Sequence, residues 1–469
     1  MPLVSTPGAQ PGGRSVAQAI MARELGRTRC RPILAESIAY REVVDFDIVS
    51  VDGQPTLPFA LKFARTPRAA RRFAVADEEG TVALFELSAT DAAEHALRCR
   101  WDAHSNAIFD LAWLDDDRHL VTASGDQTFR MWDVETARAL HVGKGHAGSI
   151  KSVATRAETT HLIATGGRDG HIMLWDTRAG SSDHALSPVL RISRAHHPNS
   201  AADRRKRARV ECNKSVTSVH FLPWEHTLAS AGASDGKIKF WDLRGGSSSE
   251  QLYHIDATPA ASGHADGVRT RGFSCLDVDG ANLRLLGGTT GGKIHVYDLM
   301  RPQMGATHTL EGHTSETFYV KAVFSPDGRH VASGSSDKIA YLWDLHDSDA
   351  PPLQLAGHAG EVTTLDFCHA RESGLRRGLA SCSDDGTVRV WTRETASERT
   401  FITPQRAPRA PRTPLASPAD GSAEPAAEAA RADAAASAAR TGPPLSRVRT
   451  IDDFWRASAP EESGDVTER

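Results

Sequence analysis

Short runs of Val, Ile, Leu and Ala alternate with turns rich in Asp and Gly along most of this 469-residue chain. In seven of these runs a bulky aromatic side chain stands six residues after a turn position. The segments are EGTVALF, DQTFRMW, DGHIMLW, DGKIKFW, GGKIHVY, DKIAYLW and DGTVRVW, ending at Phe85, Trp132, Trp175, Trp241, Tyr297, Trp343 and Trp391. Apolar runs of this length between Asp-Gly turns predict antiparallel β-strands. We therefore expect seven units of one kind.

The spacing of the seven aromatic residues predicts a repeat architecture. They lie 47, 43, 66, 56, 46 and 48 residues apart, and most are followed by Asp. A period of about 40–50 residues with a Trp-Asp signature is typical of WD-repeat β-propellers, which are built from four-stranded blades. We predict an all-β fold, a seven-bladed WD-repeat propeller over residues 56–400.

The two ends of the chain differ from the repeats. Residues 1–55 are predicted to form a partly disordered leader, in which SIAYREVVDFDIVSV is a candidate strand for closing the propeller. Residues 401–469 are rich in Pro and Ala, and their low hydrophobicity predicts a disordered tail.

Composition excludes several classes of function. The 55 basic and 59 acidic residues give a net charge of −4, so no chain-wide field favours nucleic acid or membrane. The six cysteines are scattered without a Cys-x-x-Cys pair, which favours a reduced protein without a zinc framework. No apolar run approaches the ~20 residues that span a bilayer. We expect no membrane partner, no metal and no cofactor.

Four repeats contain a His, an Asp and a Trp in order, together with a Ser or Thr on a strand. In WD-repeat proteins such residues form a buried hydrogen-bonded network that holds a blade together, because buried polar groups require partners. An enzyme would not need four copies of its site, and no nucleophile or phosphate motif accompanies them. We therefore expect a non-catalytic protein. The sets are His104, Thr122, Asp126, Trp132; His146, Thr165, Asp169, Trp175; His313, Ser333, Asp337, Trp343; and His358, Ser381, Asp385, Trp391.

The long interval between Trp175 and Trp241 indicates an insertion at about residues 181–213. Its basic residues are nearly contiguous: Arg204, Arg205, Lys206, Arg207 and Arg209. Basic clusters of this size are typical of nuclear-import signals or nucleic-acid contacts. For this basic cluster three alternatives remain open: a nuclear-import signal, a weak DNA contact, and a solvated loop that no partner recognises.

Two repeats end in the same four-residue pattern. Repeat three ends Trp-Asp176-Thr-Arg178 and repeat four ends Trp-Asp242-Leu-Arg244. Each Arg follows the Trp-Asp pair by two positions, so we expect both at strand ends on one face of adjacent blades. Guanidinium groups capture carboxylates and carbonyls in a planar geometry and are enriched at interface hot spots.

These two repeats, LIATGGRDGHIMLWDTR and LASAGASDGKIKFWDLR, resemble the WDxR boxes of cullin-4 substrate receptors. The wider series AVADEEGTVALFEL, WDAHSNAIFDLAWL, VTASGDQTFRMWDV, TFYVKAVFSPD and SCSDDGTVRVW is similar to the denticleless family. The resemblance implies a nuclear substrate receptor of a cullin-4 E3 ubiquitin ligase. Asp176, Arg178, Asp242 and Arg244 would face the damage-specific DNA-binding adaptor, with cullin-4 and its RING subunit bound indirectly.

The same resemblance implies the clients of the receptor: degron-bearing replication-licensing and cell-cycle proteins on the proliferating cell nuclear antigen, the DNA sliding clamp. RVRTIDDFWRAS contains a clamp-binding-like box at 448–455, with Ile451, Phe454 and Trp455 at the apolar positions. Val448 stands where the family has Gln, so a chance apolar trio is the alternative. A general WD-repeat scaffold in a chromatin or RNA-processing complex is the competing function. Phosphorylation of Thr403, Thr413 and Ser417 stays open.

Overall fold

A computed structural model gives the fold of the repeats. It describes residues 40–66, 69–88, 96–156, 159, 161–179, 184–197, 215–224, 226–244, 250–256, 272–347, 350–369 and 378–393. Besides strands, these residues form two short 3-10 turns, Thr177–Ala179 and Pro302–Met304. Within the described ranges no helix has the length and apolarity needed to cross a membrane.

The strands form seven sheets in chain order, each built from four antiparallel strands, which confirms the predicted seven-bladed propeller. Blade one contains β2 (Pro58–Phe63), β3 (Arg72–Asp77), β4 (Thr81–Glu86) and β5 (Ala96–Asp102). Blade two contains β6 (Ile108–Trp113), β7 (His119–Ser124), β8 (Thr128–Asp133) and β9 (Arg138–Lys144). Blade three contains β10 (Ile150–Thr155), β11 (Leu162–Gly167), β12 (Ile172–Asp176) and β14 (Leu190–Ile192). A short strand, β13 (Ala185–Leu186), pairs in parallel with β9 and so adds a fifth strand to blade two.

The remaining blades follow the same plan. Blade four contains β15 (Val216–Phe221), β16 (Thr227–Gly232), β17 (Lys237–Asp242) and β18 (Glu250–Asp256). Blade five contains β19 (Phe273–Val278), β20 (Arg284–Thr289), β21 (Lys293–Asp298) and β22 (Ala306–Glu311). Blade six contains β23 (Ala322–Phe324), β24 (His330–Ser333), β25 (Ile339–Asp344) and β26 (Leu353–Ala356). Blade seven contains β27 (Val362–Phe367), β28 (Leu379–Ser383), β29 (Thr387–Arg393) and, from the other end of the chain, β1 (Tyr40–Asp47).

The ring closes because a strand from the N-terminal side of the repeat region, β1, completes the last blade. β1 pairs antiparallel with β29 from Tyr40 opposite Arg393 to Asp47 opposite Thr387. An ion pair of 2.6 Å between Arg389 Nη1 and Glu42 Oε2 joins the same two strands. β1 comes from the stretch that the sequence analysis assigned to a leader of residues 1–55, and it covers what would otherwise be an open sheet edge.

The core consists of seven apolar clusters, each shared by two neighbouring blades. The regularly spaced aromatic residue of each blade packs against the blade before it. Trp175 of blade three, for example, lies with Phe129 of blade two, and Phe85 of blade one lies with Val390 of blade seven. All seven aromatics are nearly fully buried, with Tyr297 in the Trp position of blade five. Inter-blade packing is therefore the physical reason for the periodic aromatic pattern.

Candidate protein-docking site

The first and third strands of every blade end on one face of the propeller, here called the lower face. In blades three and four the residue after the third strand donates its N–H to the carbonyl just before the second strand: Thr177 to His161 at 2.9 Å and Leu243 to His226 at 2.8 Å. Bonds between blades join the same ends, since Arg65 N donates to Asp117 Oδ1 at 2.9 Å from one first-strand turn to the next. The opposite face, where the first strands begin, is the upper face.

The two Arg residues predicted to bind a partner occupy equivalent positions on the lower face of adjacent blades. In each case an Asp at the end of the third strand accepts the backbone N–H of the Arg at 2.9 Å. The same Asp then accepts the guanidinium in a two-pronged ion pair, at 2.7 Å between Arg178 Nη2 and Asp176 Oδ2 and at 2.6 Å between Arg244 Nη2 and Asp242 Oδ2. The two boxes have the same local geometry.

Both guanidinium groups remain accessible, with 67% of the Arg178 side chain and 70% of the Arg244 side chain exposed. A guanidinium carries several N–H donors, and only the Nε and Nη2 edge faces the Asp. The remaining N–H groups are available to a partner. Exposed ion pairs add little to folding stability, so the main effect of each Asp is to hold its Arg in one orientation.

The electrostatics of the boxes follow from these contacts. The hydrogen bonds from Arg178 hold the pKa of Asp176 below its ordinary value. The corresponding bonds from Arg244 lower the pKa of Asp242 to about 2. Each Arg in turn has its pKa raised by its Asp. Both pairs therefore stay ionised across the physiological range.

Comparison with the other blades shows which part of this arrangement is special. The turn in which a third-strand Asp accepts the N–H two residues later also occurs in blade two at Asp133, blade five at Asp298 and blade six at Asp344. In blades two and six, however, the Arg that pairs with this Asp is Arg118 or Arg329, which comes from the turn before the second strand. Among the described residues, only blades three and four place an Arg two positions after the strand.

His161 and His226 replace those Arg residues in blades three and four. Sequence reasoning missed them. Both contribute to the lowered pKa of the neighbouring Asp. The signal was present in the chain, since each His stands directly before the second strand of a repeat that ends in Trp-Asp-x-Arg. Because a His stands before the second strand in blades three and four, the Asp at the end of the third strand forms its ion pair with the Arg two positions after it.

The predicted buried networks form in blades two, three and seven. In blade two, Trp132 Nε1 donates to Thr122 Oγ1 at 3.0 Å, the same oxygen lies 2.6 Å from His104 Nε2, and His104 Nδ1 lies 2.9 Å from Asp126. Burial lowers the pKa of His104, and the network lowers the pKa of Asp126 to about 2. The neutral imidazole thus links the upper-face turn to the blade interior, which is a structural role.

The same residue types form the network in blades three and seven. His146 and His358 lie 2.8 Å from the hydroxyls of Thr165 and Ser381, respectively. The indoles of Trp175 and Trp391 donate to those hydroxyls at 2.9 Å.

The prediction for blade six was wrong. Tyr341 donates its hydroxyl to Asp337 at 2.6 Å, and Trp343 Nε1 donates to the carbonyl of Glu311 at 3.1 Å. Ser333 Oγ donates to the Gly334 carbonyl at 2.9 Å. His313 therefore loses its Asp to the phenol and packs against the Trp343 ring instead, with centroids 5.4 Å apart. The competing Tyr, two residues before the Trp, is the physical cause.

Blade four contains a fourth complete network that sequence reasoning missed. His196 lies 2.7 Å from Asp235 and 2.8 Å from Ser230, and Trp241 donates to Ser230 at 2.8 Å. The His lies inside the stretch assigned to an insertion at about 181–213, which also supplies β13 and β14 to the blades. Ala195 before it was the available signal, because Ala also precedes His104 in blade two.

Comparisons with known proteins agree with this architecture. The WD domain, G-beta repeat family matches residues 96–133, 138–176, 206–242, 305–344 and 350–392. The chain is 39% identical over 352 residues to the Denticleless protein homolog of Gallus gallus, covering 72% of this chain and 48% of that protein. Against the Denticleless protein homolog of Homo sapiens the identity is 37% over 353 residues, covering 72% and 47%.

A more distant relative is Protein lethal(2)denticleless of Drosophila melanogaster, 34% identical over 355 residues, with 72% of this chain and 45% of that protein covered. The chain is a denticleless-family WD-repeat protein. It spans about half the length of the curated relatives that it matches.

The central channel of this denticleless-family propeller is crossed by an ion pair. Lys321, directly before β23 of blade six, donates to Asp110 of blade two at 2.8 Å and to the Phe109 carbonyl at 3.2 Å. Towards the upper face, the Lys151 ammonium lies 3.7 Å from the centre of the Phe109 ring. The described residues contain no group of three His, Cys, Asp or Glu side chains arranged to hold a metal.

Several predicted sites lie outside the described residues. They are the basic cluster Arg204, Arg205, Lys206, Arg207 and Arg209, the clamp-binding-like residues Ile451, Phe454 and Trp455, and the three sites Thr403, Thr413 and Ser417. Their roles stay predictions.

Proposed function

We propose that this chain is the non-catalytic substrate receptor of a cullin-4 E3 ubiquitin ligase and docks on the damage-specific DNA-binding adaptor. The observation that carries the proposal is the repeated box on blades three and four, where Arg178 and Arg244 are exposed, oriented by their own Asp and on the same face. Arg is well suited to bind carboxylates and carbonyls of a partner through planar pairs of hydrogen bonds. Membership of the denticleless family supports the same role.

In this proposal the receptor recruits replication-licensing and cell-cycle proteins that are bound to the sliding clamp, and it acts in the nucleus. The apolar residues Ile451, Phe454 and Trp455 would contact the clamp. The basic cluster at 204–209 would serve nuclear import or a weak contact with DNA. Cullin-4 and its RING subunit would be reached through the adaptor.

The test of adaptor docking replaces both box residues, Arg178→Ala with Arg244→Ala, in the full chain. We expect binding to the purified adaptor to weaken at least about 30-fold, which corresponds to about 2 kcal/mol for one hot-spot Arg, and about 1,000-fold where the costs of the two truncations add. The matched control is Arg118→Ala with Arg329→Ala, which removes the Arg partner of the corresponding Asp from blades two and six on the same face. Wild-type binding by the box variant would favour a general propeller scaffold instead.

The clamp contact has its own test. A peptide covering residues 445–460 should bind the purified sliding clamp, and Phe454→Ala with Trp455→Ala should abolish that binding. Equal binding by both peptides would show that the aromatic pair makes no contact.

A further inference from the structure

The lower face of blade five carries an exposed apolar surface beside the two Arg boxes. Leu283 is 52% exposed, Met300 67% and Met304 83%, and Trp224 of blade four, next to them along the ring, is 36% exposed. Leu283 and Trp224 lie in turns between the first and second strands, and the two Met residues lie in the loop after β21. We call these four residues the blade-five apolar patch.

The backbone of this patch is well ordered by hydrogen bonds. Leu299 N donates to the Leu283 carbonyl at 2.9 Å, which is the bond that joins the corresponding turns in blades three and four. Met300 N donates to Asp298 Oδ1 at 2.8 Å. Met304 ends the 3-10 turn Pro302–Met304, and its N–H donates to the Arg301 carbonyl at 3.1 Å. Leu283 and Met300 thus occupy the backbone positions that in blade four hold His226 and Arg244.

On the other side of the boxes, blade two presents a different chemistry. The positions that correspond to Leu283 and Met300 are Arg118 and Glu135, and Arg118 is paired with Asp133. In blade six the corresponding residues are Arg329 and His346. Among the blades for which both positions are described, only blade five is apolar at both.

Two Arg side chains do not make a stable interface by themselves. A specific interface involves about 800 Å² and 20–30 residues on each partner, and its centre is enriched in Trp, Met and Arg and poor in Asp and Glu. The contact around Arg178 and Arg244 must therefore extend along the lower face, and the composition favours extension toward blade five over blade two.

We propose that the partner that docks on Arg178 and Arg244 also covers the blade-five apolar patch, so that one interface runs across blades three, four and five. The partner would present acceptor oxygens opposite the guanidinium groups and an adjoining apolar surface opposite Met300 and Met304. This inference rests on the proposed function, and it adds the direction and the chemistry of the second half of the interface.

The test uses Met300→Glu with Met304→Glu in the full chain and the purified adaptor as the probe, with binding measured by surface plasmon resonance. Both side chains are largely exposed, so the variant should fold, and its circular dichroism melt should match that of the wild type. We expect adaptor binding to weaken at least about tenfold, because the introduced carboxylates would be desolvated against an apolar surface. Met300→Leu with Met304→Leu should retain binding.

The control is Val51→Glu, which places a single carboxylate on a side chain that is 45% exposed at the upper face. It should bind the adaptor within about twofold of the wild type. If the Arg178 and Arg244 variant loses binding while the Met→Glu variant does not, the extension to blade five is wrong and the proposed docking stands. If the Arg variant keeps wild-type binding, the proposed function fails and this inference fails with it.

Discussion

The buried networks allow a sharp test, because equivalent Ser residues contact a His and a Trp side chain in two blades and only backbone carbonyls in a third. Ser230 and Ser381 each accept an indole N–H and lie 2.8 Å from a His Nε2. Ser333 occupies the corresponding strand position in blade six, but its hydroxyl donates only to backbone carbonyls. The same substitution, Ser→Ala, therefore removes two side-chain partners in two blades and none in the third.

The expected magnitudes follow from the groups left without partners. Ser230→Ala or Ser381→Ala leaves a buried indole N–H and a buried imidazole nitrogen unsatisfied, at about 1–3 kcal/mol each. We expect each variant to lose about 2–6 kcal/mol of the free energy of unfolding. Ser333→Ala removes one hydroxyl donor from backbone acceptors, and its loss should be about 0.5–1.5 kcal/mol.

The measurement is urea-induced unfolding followed by tryptophan fluorescence. The free energies of unfolding of the variants are compared with a common m-value, the slope of the free energy against urea concentration. Ser381→Thr is the rescue variant, since blades two and three use Thr122 and Thr165 for the same bonds. It should stay close to wild type. Equal losses for all three Ser→Ala variants, or the largest loss at Ser333, would refute the assignment of different networks to blades six and seven.

Three further predictions concern the closure of the ring, the channel and pH. Deleting residues 1–47 removes β1 and should expose β29 as a sheet edge, which we expect to appear as concentration-dependent aggregation in light scattering. Lys321→Met should destabilise the propeller by about 1–3 kcal/mol by leaving Asp110 without its cation, and adding Asp110→Asn should restore part of the loss in a double-mutant cycle. Burial lowers the pKa of His313 from 6.5 to about 4. The stabilisation of the fold by the neutral, buried imidazole is therefore fully present above pH 6.5 and is lost as the pH falls toward 4. The free energy of unfolding, obtained from urea titrations at pH 7.5 and 4.5, should therefore change by about 2–3 kcal/mol less in His313→Phe than in wild type.

Much of the fold was predictable from the chain, because each blade repeats the same packing problem. An aromatic residue must fill the space against the preceding blade, and Asp-Gly turns must reverse the strands, so both recur at fixed spacing. The boxes at Arg178 and Arg244 were visible for the same reason: a strand end is a fixed position within each repeat. The denticleless-family resemblance also came from short sequence motifs that occur in the same order along the chain.

The networks show where local reasoning stops. His313 was expected to pair with Asp337, but Tyr341 reaches that carboxylate first, and only the packed blade shows which of two neighbours wins. His196 was missed because the stretch assigned to an insertion also contains residues that belong to blades three and four. When the interval between two repeats is long, sequence spacing does not show which of its residues belong to a blade and which to the insertion.

The sequence by itself determined the number of blades, the strand order and the two Arg boxes, since these depend on periodic spacing within one repeat. Only the tertiary structure decided that β1 pairs with β29 of blade seven, that Lys321 reaches Asp110 across the channel, and that Leu283, Met300 and Met304 lie on the blade next to that of Arg244. The physical reason is that these relations join residues of different repeats. These relations depend on how the blades pack around the propeller axis, and a sequence pattern within one repeat does not specify which residues of other repeats it will contact.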